Sequence, residues 1–70
     1  MDNIPVTVEL ANSMFLDNYH VLVRDFKSGK IFYEGGMAHI PAELKEKELY
    51  TIKVSSEENG KWVEITFYTL

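Results

Sequence analysis

The chain contains no cysteine, so neither a disulfide framework nor thiolate coordination of a metal supplements its packing. It has two prolines, four glycines and one tryptophan, so its turn signals are few and each carries weight. Long apolar runs are missing too. No stretch approaches the length needed to span a bilayer, and the opening MDNIPVTVEL lacks the basic-then-apolar order of a secretory leader. These absences set the expectation of no membrane partner and a cytoplasmic location by default. Positive charge is in short supply: seven Lys and Arg stand against eleven Asp and Glu, for a formal net charge of -4. That balance favours solubility and gives no broad attraction to phosphate backbones, so nucleic acid ranks below protein as a partner.

What remains is an ordinary globular composition, 46% apolar and 26% charged, in 70 residues. The expectation is a single small β-rich domain over residues 1–70. A chain of this size buries only roughly 60% of the surface its unfolded form exposes, so its core is thin.

Periodicity points to strands. Ile4, Val6, Val8 and Leu10 alternate with Pro5, Thr7 and Glu9, the pattern of a half-buried strand whose start is unpaired or at an edge because Pro5 cannot donate. The following ANSMFLDN reads as an irregular connection, with Asn12 or Ser13 capping one short turn or the chain reversing at Asp17 and Asn18. YHVLVRDFKSGKIFYE reads as a hairpin with Gly29 in a left-handed position and Phe26 opposite Lys30. In that register Val23 faces Tyr33, Arg24 faces Phe32 and Asp25 faces Ile31; Val21, Val23, Ile31 and Tyr33 share one face, with Leu22, Phe26 and Phe32 on the other. KELYTIKVSS and KWVEITFYTL form a second hairpin through Asn59-Gly60, with Val54 facing Ile65, Ile52 facing Phe67 and Tyr50 facing Thr69. Ile52, Val54, Ile65 and Phe67 make its expected buried face. Between the hairpins, Pro41 opens one short helical turn reaching Lys45. The predicted fold is mainly β: a five-strand antiparallel meander or small curled barrel with one short helix, the alternative being α+β with a three- or four-strand sheet.

Chemistry is harder to find. Gly35-Gly36 is not a phosphate loop, since the spaced glycines of a dinucleotide fingerprint and the Gly-Lys-Ser/Thr ending are both missing. The bland reading is a flexible exit from a strand, or a bulge. His20 and His39 sit in no short motif with a serine or paired carboxylates, and no HExxH-type spacing supports a metal site using both. The expectation is therefore no catalytic residue, no cofactor and no metal.

Aromatic side chains are the stronger lead. Phe32, Trp62 and Tyr68 fall opposite the two expected cores, where interfaces gather their hot spots. The sequence thus suggests a noncatalytic protein-interaction or assembly module, taking a protein partner or forming a homo-oligomer through Phe32, Trp62 and Tyr68. Three alternatives rank below it: a small nucleic-acid-binding β module, an acidic nucleic-acid mimic that inhibits a nucleic-acid-binding protein, and a small enzyme.

Overall fold

The fold, taken from a computed structural model that describes residues 6–15, 19–56 and 63–70, begins with helix α1 (Val8–Ser13) and the hairpin of β1 (His20–Asp25) and β2 (Ile31–Gly36). A 3-10 turn (Met37–His39) and helix α2 (Ala42–Lys45) lead to the second hairpin, β3 (Leu49–Ser56) and β4 (Val63–Thr69). The four strands form one open mixed sheet in the order β2-β1-β4-β3. Both hairpins are antiparallel, and β1 and β4 pair in parallel along their length, from His20 beside Glu64 to Asp25 beside Thr69. The expected five-strand meander or curled barrel is corrected on two counts. The second hairpin does not simply extend the first, because the connection through α2 carries the chain across and docks β4, not β3, against β1. The predicted N-terminal strand is absent from the described residues.

Residues at the N-terminal end show why. Thr7 makes an isolated antiparallel bridge to Glu48, with the Val8 amide donating to the Lys47 carbonyl at 3.0 Å and the Leu49 amide to the Val6 carbonyl at 2.7 Å. Immediately after, the Thr7 hydroxyl accepts from the Leu10 amide at 3.2 Å and caps α1, with Glu9 in the first turn. The helical period buries Val8 and Ala11 and leaves Leu10 exposed. Alternation at 6, 8 and 10 therefore lost to a capped turn whose apolar residues recur at i and i+3. Asn12 and Ser13, read as caps of a later turn, lie in the last turn of α1, where Asn12 Nδ2 donates to the Met37 carbonyl at 3.3 Å. The expected reversal at Asp17 and Asn18 lies outside the described residues.

The short helix appears where expected, with Pro41 one position earlier, at the N-cap. Both registers are right at their centres and wrong near one end. Val23 pairs with Tyr33, but Arg24 pairs with Ile31, making Phe32 an inserted residue, and the Asp25 amide donates to the Lys30 carbonyl. Gly29 takes the left-handed conformation, φ 75°. Val54 pairs with Ile65 and Ile52 with Phe67, but Leu49 meets Thr69, so Tyr50 is the extra residue in β3. The Asn59-Gly60 turn lies outside the described residues.

One sheet face makes the core. Val21, Val23, Ile65 and Phe67 pack with Val8 and Ala11 of α1, Met37, Ile40 and Leu44. Phe15 closes one side, tilted against Phe67 with ring centroids 6.3 Å apart. All the helices' buried residues join this cluster, so among the described residues the opposite face has no helical layer. Of β3, Leu49 alone packs against the cluster; Ile52 and Val54 remain 37% and 58% exposed, which corrects their expected burial. They point to the core side, but α1 and α2 are too short to reach across the edge strand. Among the described residues no helix is long and apolar enough to cross a membrane.

Candidate functional site

The face away from the core follows from alternation, and its residues are half-buried or, at Thr66, buried. In β1 and β4, His20, Leu22, Arg24, Glu64, Thr66 and Tyr68 point away from the buried valines, isoleucine and phenylalanine. Parallel pairing of β1 with β4 puts the first hairpin loop beside the start of β3 at one end of this face. There the Phe26 amide donates to the Thr69 carbonyl at 2.9 Å, and the Thr69 hydroxyl donates to the Arg24 carbonyl at 3.1 Å. Held in this way, Phe26 stacks on Tyr50 with centroids 4.0 Å apart and meets Tyr68 edge-on at 6.2 Å. Phe26 and Tyr50 are both exposed, so this is an aromatic cluster at the surface.

At the opposite end three ionisable groups converge. His20 opens β1, Glu64 lies directly beside it on β4, and Glu34 lies diagonally across on β2. Nε2 of His20 is 3.1 Å from Oε2 of Glu34 and 3.7 Å from Oε2 of Glu64. Strand order alone places the imidazole between the two carboxylates.

The third feature is the outer edge of β3. Its first residues are covered by the N-terminal segment through the Thr7–Glu48 bridge. From Tyr50 to Val54 every side chain is exposed, and no described residue pairs with the outer side of that stretch. An edge of this kind offers unpaired backbone donors and acceptors together with apolar side chains. Lys53 is its one charge.

Of the described residues expected at an interface, Tyr68 lies where the sequence placed it, on the face away from the core. Phe32 is instead half-buried against the core because the bulge turns it inward, and the ammonium groups of Lys47 and Lys30 lie 5.0 and 5.8 Å from its ring centroid. Trp62 lies outside the described residues. Ile31, assigned to the core side, is exposed. Tyr50, expected opposite Thr69 on the buried face, was hidden by the bulge in β3, whereas Phe26 keeps its expected outer position beside Leu22. His39 is exposed in the 3-10 turn. The glycine pair is a packing corner: the Tyr33 ring lies over Gly35, where an added Cβ would stand 2.7 Å from its hydroxyl, and that hydroxyl donates to the Gly36 carbonyl at 2.8 Å.

Electrostatics around the first loop are local. The Ser28 amide donates to Oδ2 of Asp25 at 2.7 Å, and hydrogen bonding from Ser28 holds the Asp25 carboxyl below its usual value. The Arg24 guanidinium is committed to the Gly29 carbonyl through two bonds of 3.1 and 3.0 Å. Comparison of the chain with protein-family models, with curated proteins and with solved structures finds no match in any of the three.

Proposed function

We propose that the chain is a noncatalytic assembly module that pairs with a second copy of itself, β3 against β3, across a two-fold axis. The observation that carries this reading is the run of exposed side chains Tyr50, Thr51, Ile52, Lys53 and Val54 on a sheet edge, with Ile52 and Val54 apolar and uncovered. Pairing along such an edge satisfies backbone groups that otherwise bond only to water and buries the apolar side chains together.

The sequence of β3 selects a register. With Ile52 opposite the partner's Ile52, Thr51 meets Lys53 and Tyr50 meets Val54, so no like charges face each other. Sliding by one residue to centre on Lys53 would set two ammonium groups directly opposite, an unfavourable pair. A two-fold arrangement is self-complementary, as a symmetric dimer requires. The result is a continuous eight-stranded sheet.

Sedimentation equilibrium over a wide concentration range tests it. The wild-type chain is expected to shift from monomer to dimer as concentration rises, and Ile52→Lys to remain monomeric while retaining its fold. A monomer mass at every concentration would overturn the self-pairing.

A further inference from the structure

His20, Glu34 and Glu64 come from three adjacent strands and are separated in sequence by 14 and 30 residues, yet their ligand atoms all lie within 4.8 Å of one another. We propose that they form a divalent cation site of the zinc class at this end of the sheet. The spacing around the imidazole nitrogen is close to what such an ion imposes. Nitrogen and carboxylate ligands about 2.0 to 2.2 Å from zinc stand about 3 to 3.6 Å apart around it. The separations from Nε2, 3.1 and 3.7 Å, lie at that spacing or within a small side-chain adjustment of it.

The hydrogen bond between His20 and Glu34 does not account for Glu64. Nε2 has one position to offer, and the 3.1 Å contact to Glu34 uses it. The Glu64 carboxylate, at 3.7 Å, is outside hydrogen-bond distance and has no other partner among the described residues, although its side chain is only 21% exposed. A cation between the three would be shared by all of them and would screen one carboxylate from the other. One imidazole and two carboxylates, without thiolate, suit zinc or manganese; calcium calls for six or more oxygens. Three protein ligands leave the remaining coordination positions to water.

The rival arrangement is a protonated imidazole bridging the two carboxylates with no affinity for metal. Calorimetric titration of metal-free protein with zinc chloride, paired with spectra of the His20 ring, separates the two. The site predicts one zinc per chain and a shift of the His20 ring resonances. It also predicts affinity at least about tenfold weaker in Glu64→Gln, since even changes outside the ligand set commonly cost that much. Glu34→Gln, at the most exposed of the three positions, should weaken zinc without disturbing the fold, and Glu43→Gln should bind as wild type. The absence of binding at millimolar zinc would overturn the site, as would binding that persists undiminished in His20→Ala and Glu34→Gln, both checked for native cross-strand contacts.

Discussion

Asp25 shows how one side chain sets a loop. Its carboxylate accepts the Ser28 amide across the turn that Gly29 completes, and that bond, followed by the Ser28 hydroxyl, is what lowers its pKa. A carboxyl depressed in the folded state stabilises the fold at pH above its unfolded value, and this contribution fades as pH falls through the depressed folded value. The Ser28 amide resonance is therefore expected to titrate with a midpoint below the ordinary 3.8 of an aspartate, and Asp25→Asn to abolish that transition. Gly29, at φ 75°, has room for a Cβ 3.5 Å from Arg24, so Gly29→Ala should cost only the left-handed backbone penalty of about 1 to 2 kcal/mol in denaturant titration. Phe67 belongs to another class. It is fully buried, and Phe67→Ala should cost about 3 to 5 kcal/mol, enough to unfold much of so small a domain, whereas exposed Lys27→Ala should change little.

At the scale of the element, β3 is the instructive case. Alternation and turn chemistry in the sequence correctly placed Ile52 against Phe67 and Val54 against Ile65, because register is a property of the hairpin itself. Whether a strand face is covered depends on the reach of other elements, and no residue of β3 encodes that. Ile52→Ala, which full burial would make severely destabilising, is thus expected to cost less than about 1 kcal/mol in the monomer, the range of partly exposed sites. Thermal unfolding of dilute Ile52→Ala and Phe67→Ala proteins side by side checks the contrast. The two bulges were illegible for a related reason. An inserted residue at Phe32 or Tyr50 leaves no mark on local periodicity, yet it exchanges which aromatic rings face outward. At α1, the Thr7 cap decided between helix and strand, and Thr7→Ala should cost about 1 kcal/mol.

At the scale of the molecule, the parallel contact of β1 with β4 organises both candidate clusters. It gathers Phe26, Tyr50 and Tyr68 at one end of the sheet and His20, Glu34 and Glu64 at the other. This contact was out of reach of the sequence, since it joins segments more than forty residues apart with no turn between them to announce the pairing. It also makes β3 an edge, and the edge is where the proposed assembly happens. An isotope-filtered NOE spectrum of a one-to-one mixture of carbon-13-labelled and unlabelled chain, at a concentration where dimer is present, tests that assembly most directly. The account predicts intermolecular contacts confined to β3, centred on the Ile52 methyl groups and reaching from Tyr50 to Val54. Intermolecular contacts from Phe26 and Tyr68 with none from Ile52, or no intermolecular contact at all, would contradict it.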